Sequence, residues 1–336
     1  MKTTTLSLAL SIGALLYGIC VSSVPAEQPS HPIENKAENK ALTDNNSVPV
    51  EAAALWSTIA QAEISSADMP KAFLAGIDTY VLTSSVHKER QFQISVALPV
   101  TYKDSEQSYP VLYSLDANAE FGMVVETARL LALDEAIPEL IIVGIGYPAG
   151  GRYGHSVPYR RLDYTPTVLT TKEKKERVLF PLDQPTGGAP KLLEFMRQQL
   201  IPFIEKKYRA NPDDRAVFGH SLGGLFSTYA LFQTDPVFQR FIIGSPSLLW
   251  DAGVMFQVEE KYAEAHTALP AKVFVSIGAK EDYELGMVDF EKFVKVLEKR
   301  NYSDLQWNSH IFKDETHVSV LPATISRGLR TVYQTK

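Results

Sequence analysis

The chain has almost no cysteine: its one thiol, Cys20, lies in an apolar stretch near the N-terminus. Beyond that stretch there is no disulfide, no thiolate nucleophile and no cysteine-based metal site, so stability has to come from core packing. Ile19 before Cys20 is too large for a lipoprotein signal. No long basic run occurs and the formal net charge is −6, which argues against a nucleic-acid partner. The apolar run Leu6 to Val21 is shorter than the about 20 residues a membrane-spanning helix needs. Neither an H-E-x-x-H spacing nor a P-loop is present. Gly144-Ile145-Gly146 lacks the third glycine and following helix of a dinucleotide site. No metal or organic cofactor is therefore expected. What remains is ordinary for a globular protein: 336 residues, 45% hydrophobic and 21% charged.

Residues 1–26 have the layout of a secretory signal: Lys2, the apolar run, then Val24-Pro25-Ala26 as a small-residue cleavage site. The chain is accordingly expected to be exported, and periplasmic if its source has an outer membrane. Residues 27–50 are polar and rich in Asn, Glu, Pro and Lys, so they read as a disordered tether. Residues 51–336 form the expected domain, opening with a short helix over Ala52 to Ile64 and a folded core from about Phe73.

Within it, eight strand candidates alternate with helical patterns: Ile77–Leu82, Phe92–Leu98, Val111–Leu115, Leu140–Ile145, Ala216–Phe218, Phe241–Ile243, Val273–Ile277 and Trp307–Phe312. The first two read as an antiparallel edge pair. Val111–Leu115 and Leu140–Ile145 are short apolar runs bounded by Pro and Gly, as expected for strands buried on both faces. The clearest helices are Ala189–Lys207, with a kink expected at Pro202, and Phe290–Arg300. This rhythm predicts a mostly parallel sheet covered on both faces. Residues 150–188 break it, and an insert of that length is expected to act as a lid or substrate-binding segment.

The chemistry centres on Gly219-His220-Ser221-Leu222-Gly223, set between the strand ending at Phe218 and an apolar helix. G-x-S-x-G in that context is a nucleophile elbow, whose turn tolerates only small neighbours and holds the serine hydroxyl out at the end of the sheet. A serine needs a base, and the base needs an orienting carboxylate. The loop after the penultimate strand supplies Glu281 and Asp282; the loop after the last strand supplies His317. His31, His87, His155, His266 and His310 are placed wrongly for the task, and His220 is expected to pack beneath the serine. The backbone N–H of Leu222 is one expected oxyanion donor. The second is expected from Asp116 or Ala117, after the strand Val111–Leu115.

These residues resemble the esterase D-like family of α/β-hydrolases, from about Tyr80 to Tyr333. The likeness also covers Tyr109 to Asp116, Arg161-Leu162-Asp163-Tyr164-Thr165-Pro166, Gly244-Ser245-Pro246-Ser247-Leu248-Leu249-Trp250 and Glu315-Thr316-His317. It is strongest with the branch that opens the trilactone siderophores enterobactin and bacillibactin. The resemblance implies an α/β-hydrolase fold, Ser221 as nucleophile, His317 as base and Glu281 as acid. It also implies roles in the insert for Arg161 and Asp163. Ala117 stands where the family commonly has glycine, so the backbone there is expected to keep a negative φ. The expected activity is hydrolysis of a small-molecule carboxylic ester through an acyl-enzyme. Arg152, Arg160 and Arg161 are expected either to face an anionic substrate or to form ion pairs with Glu or Asp of the same region, and Trp250 is also assigned to substrate binding. Acyl transfer, a generic acyl or polysaccharide esterase, and a non-catalytic binding module remain open on the same residues.

Overall fold

The computed structural model describes residues 74, 76–87, 90–148, 153–169 and 185–334. The expected signal, tether and first helix lie outside these residues, as do Arg152 and the charged segment Thr171–Arg177 of the insert. Eight strands build one sheet in the order β1-β2-β4-β3-β5-β6-β7-β8. They are β1 Ile77–Thr83, β2 Gln91–Ala97, β3 Tyr109–Ser114, β4 Ile141–Gly146, β5 Ala210–His220, β6 Arg240–Gly244, β7 Ala268–Gly278 and β8 Ser303–Phe312. β2 runs antiparallel to both β1 and β4, and the other neighbours are parallel. All eight sequence candidates fall on these strands. The polar first half of β5, Asn211-Pro212-Asp213-Asp214, was invisible to a search for apolar runs because it lies outside the core.

Side chains alternate across the central strands, so the sheet carries two apolar layers. Val111, Tyr113, Val143, Ile145, Val217, Ile243 and Val275 point to one. Leu112, Ile142, Ala216, Phe218, Ile242 and Phe274 point to the other. The second layer is covered by α1 (Ala117–Leu133) and α8 (Leu321–Tyr333). The first is covered by α3 (Ala189–Phe195), α4 (Ile201–Lys207), α5 (Leu222–Leu231), α6 (Trp250–Ala265) and α7 (Val288–Arg300). In place of a single helix kinked at Pro202, a π-turn over Met196–Leu200 separates α3 from α4. Pro202 then enters the first turn of α4, where a missing N–H costs little.

The insert contains a helix, α2 (Tyr153–Tyr164). Thr165 ends it: its Oγ1 donates to the Arg161 carbonyl at 2.7 Å, and its own carbonyl accepts from Ala189 N–H, joining α2 to α3. Among the described residues no helix is long and apolar enough to cross a membrane.

Candidate active site

Parallel strands place the βα loops at one edge of the sheet, and those loops carry the predicted groups. Ser221 sits between β5 and α5 with φ 60° and ψ −118°, a backbone conformation that L-residues avoid. Its N–H donates to the Gly244 carbonyl at 3.0 Å, which ties the elbow to the end of β6. A Cβ on Gly219 would come within 2.2 Å of the Gly223 carbonyl oxygen, so only glycine fits there. The second glycine of the pattern is less constrained, since a Cβ on Gly223 would meet Asp116 Oδ2 at 3.3 Å. Gly224, outside the pattern, is the tighter one: a Cβ there would lie 2.6 Å from the Gly244 carbonyl oxygen.

The base and acid meet across two loops. His317 Nδ1 is 2.6 Å from Glu281 Oε2. The other carboxylate oxygen, Oε1, accepts from Ser245 Oγ at 2.5 Å and from Gly278 N–H at 2.9 Å. Burial alone would raise the Glu281 pKa. The hydrogen bond from His317, the His317 charge and the donors Ser245 and Gly278 outweigh it and hold the carboxyl below its usual value. Asp282 is engaged elsewhere, its Oδ1 accepting from the N–H groups of Glu284 and Leu285 as a helical cap. The structure thus puts Glu281, not Asp282, against the imidazole.

His220 packs beneath this arrangement and is buried. Its Nε2 donates to the His317 carbonyl at 2.7 Å, and the two rings lie 4.8 Å apart. Burial, then the His317 charge, push the His220 pKa down to about 3, so the ring is neutral. Gly244 makes room for it, since a Cβ there would stand 2.9 Å from His220 Nδ1.

The oxyanion loop follows β3. Leu222 and Ala117 are the first residues of α5 and α1, where the N–H has no partner within its helix. Ala117 is not among the residues with positive φ; Asp116 takes the left-handed conformation instead, with φ 50°. The Asp116 N–H is not a free oxyanion donor, because it donates to the buried Tyr164 Oη at 3.0 Å. The candidate pair is therefore Leu222 and Ala117. Asn118, to which sequence reasoning gave no role, bridges to Tyr147: Nδ2 donates to its carbonyl at 3.0 Å and Oδ1 accepts its N–H at 2.8 Å. Ser245 was likewise missed as the brace of the acid. Its place in Gly-Ser-Pro-Ser was the available signal, but a hydroxyl in a turn motif does not announce a partner 36 residues away.

The residues expected to face substrate are placed differently. Arg160 makes a two-pronged ion pair with Asp116, Nε and Nη2 each 2.8 Å from a carboxylate oxygen. Arg161 is 3% exposed, and Trp250 is buried with its Nε1 donating to Thr167 Oγ1 at 3.2 Å. Asp163 is fully buried, 3.5 Å from both His87 Nε2 and Arg90 Nε. Arg160, Asp163 and the Trp250–Thr167 contact thus tie the insert to neighbouring segments. An arginine-rich segment reads the same whether its charges meet substrate or carboxylates of the fold, and for Arg160 the structure shows the second. Arg152 lies outside the described residues.

The sheet order, the strained elbow serine and the carboxylate–imidazole pair define an α/β-hydrolase. A family profile described as "Putative esterase" matches residues 85–310. The chain belongs to that family and is an esterase. It is 28% identical over 262 residues to the ferri-bacillibactin esterase BesA of Bacillus subtilis, covering 74% of this chain and 87% of the relative. With the siderophore enterobactin esterase of Emericella nidulans it shares 27% identity, covering 72% and 89%. Among solved structures, the BES protein from Bacillus cereus superposes with a TM-score of 0.70 at 28% identity, covering 80% of this chain and 99% of that one. An IroE-like serine hydrolase from Shewanella oneidensis gives 0.68 at 26%, covering 77% and 80%.

Proposed function

We propose that this chain is an exported serine esterase that opens siderophore-type esters or lactones through a covalent acyl-enzyme at Ser221. The observation that carries the mechanism is the His317–Glu281 contact at 2.6 Å, on loops at the same sheet edge as the strained Ser221. With Nδ1 bonded to Glu281, Nε2 is the ring nitrogen left to take the serine proton. The Ser221 oxygen then bonds to the ester carbonyl carbon, and the carbonyl oxygen becomes an oxyanion facing the Leu222 and Ala117 N–H groups. Collapse expels the alcohol, which leaves with the proton from His317. Water repeats the sequence on the acyl-serine and returns the enzyme. Glu281 fixes the tautomer and stabilises the imidazolium.

The substrate class rests on the relatives: the similar curated proteins are named for ferri-bacillibactin and enterobactin hydrolysis. Export rests on Lys2, the Leu6–Val21 run and Val24-Pro25-Ala26. The test is product analysis after incubating the protein with enterobactin and bacillibactin, apo and iron-loaded, beside p-nitrophenyl esters, with Ser221→Ala in parallel. Ring-opened siderophore that depends on Ser221 is the expected result. Turnover of simple esters alone would replace the substrate reading with a generic esterase. No turnover of any ester by folded protein would favour a binding module.

A further inference from the structure

The oxyanion loop is gripped from two sides. Asn118 binds it to the end of β4 through Tyr147, as described above. The second grip comes from the insert. Two residues of α2, one turn apart, both close on Asp116: Arg160 pairs with its carboxylate and Tyr164 Oη accepts its backbone N–H. Asp116 and Tyr164 are buried, and the Arg160 side chain is 13% exposed. Glu120, one turn further along α1, also feels the guanidinium, but burial, then the Asp116 charge, raise its carboxyl pKa well above the usual carboxylate range.

Asp116 needs holding. Its φ of 50° and ψ of 33° are left-handed, a conformation that aspartate tolerates better than most residues but does not prefer. That conformation sets the direction of the next N–H, Ala117, at the start of α1. The Asp116 carboxylate also lies against Gly223, one residue after Leu222, the other donor. We infer that Arg160 and Tyr164 are positioning residues: by holding Asp116 left-handed, helix α2 of the insert sets the oxyanion hole. The inference rests on the esterase reading. It differs from a substrate-binding role for these residues in a measurable way. A donor that acts on the developing oxyanion stabilises the transition state more than the bound ester, so its displacement lowers kcat and leaves KM in place. A substrate contact would do the reverse.

The test uses the full chain, with Tyr164→Phe deleting one oxygen and Arg160→Lys keeping the charge but losing the fork. Two properties are measured. Amide hydrogen exchange is followed in the peptide containing Leu115 to Asn118. Turnover of p-nitrophenyl butyrate is measured beside affinity for a trifluoromethyl ketone, which mimics the tetrahedral intermediate. In Tyr164→Phe the Asp116 amide should exchange at least about tenfold faster, since its buried partner is gone. Both kcat and ketone affinity should fall together by about 10- to 100-fold, with KM within about twofold of wild type. Arg160→Lys should move in the same direction; if it fails to fold, Tyr164→Phe decides alone. Raised KM with kcat intact, or unchanged exchange and kcat, would overturn the inference. If the wild type hydrolyses no ester, the esterase reading fails by itself, and the exchange result alone decides whether α2 holds the loop.

Discussion

Replacing Glu281 with glutamine sets two hydrogen-bond requirements against each other. The carboxylate accepts on both oxygens: from His317 Nδ1 at 2.6 Å on one, and from Ser245 Oγ at 2.5 Å and Gly278 N–H at 2.9 Å on the other. Glutamine keeps only one acceptor oxygen. If that oxygen stays with Gly278, the amide NH2 faces His317 Nδ1, which must then accept. The imidazole proton moves to Nε2, and the ring can no longer take a proton from Ser221. If the amide flips, its NH2 opposes the Gly278 N–H, a backbone donor that cannot turn away. Leaving that donor unsatisfied costs about 1–3 kcal/mol, so the unproductive orientation holds most of the population. Wrong tautomers of this kind lower kcat by about 10⁴-fold, equivalent to about 5.5 kcal/mol of transition-state stabilisation. We expect Glu281→Gln to lose about 10³- to 10⁴-fold in kcat on p-nitrophenyl butyrate with its thermal midpoint little changed. Asp282→Asn should keep the helical cap and the activity, because asparagine caps as well as aspartate. A Glu281→Gln enzyme within about tenfold of wild type, or a larger loss from Asp282→Asn, would refute the assignment of the acid.

Three further outcomes are expected. His220→Phe, which removes the donor to the His317 carbonyl, should lower kcat about tenfold by loosening the base, whereas His220→Gln, which keeps an N–H, should retain most of it; steady-state kinetics decide. His220 is neutral when folded, with a pKa near 3, but binds a proton below about pH 6.5 when unfolded. The unfolded state therefore holds more protons in that window, and stability should rise with pH there by up to about 1.4 kcal/mol per unit. Glu281, with its depressed pKa, adds a loss in the same acidic direction below about pH 4.5; between pH 5 and 6.5 the lowered His87 and His310 add to the His220 slope, while the raised Asp163, at about 6, and Glu120 oppose it, so the His220 share is read as the difference between urea titrations of wild type and His220→Gln, which should rise with pH. Gly219→Ala should abolish soluble protein or cost about 3 kcal/mol or more, while Gly223→Ala should cost about 1 kcal/mol or less; thermal unfolding of the pair checks the order of the two elbow glycines.

The sheet was legible because its central strands are buried on both faces and so appear as unbroken apolar runs, as in Ile141-Ile142-Val143. The order of serine, acid and histidine was legible because each follows a strand. Whatever depends on a side chain's partner was not. Glu281 and Asp282 are neighbours of the same type, and only the Gly278 turn sends one to His317 and the other to the helix cap. Arg160 and Asp116 are separated by 44 residues, and nothing in either segment reveals that they pair. The π-turn before Pro202 escaped for another reason: the proline marks a lost hydrogen bond but not how the helix absorbs it.

The proposed mechanism requires a covalent intermediate on Ser221. The most direct measurement is mass spectrometry of the protein quenched during turnover of a slowly deacylated p-nitrophenyl ester, with peptide mapping of any adduct. One acyl group per chain is expected on the peptide containing Ser221, absent in Ser221→Ala, whose hydrolysis falls to background. Continued hydrolysis by Ser221→Ala, or an acyl group mapped to another residue, would contradict it.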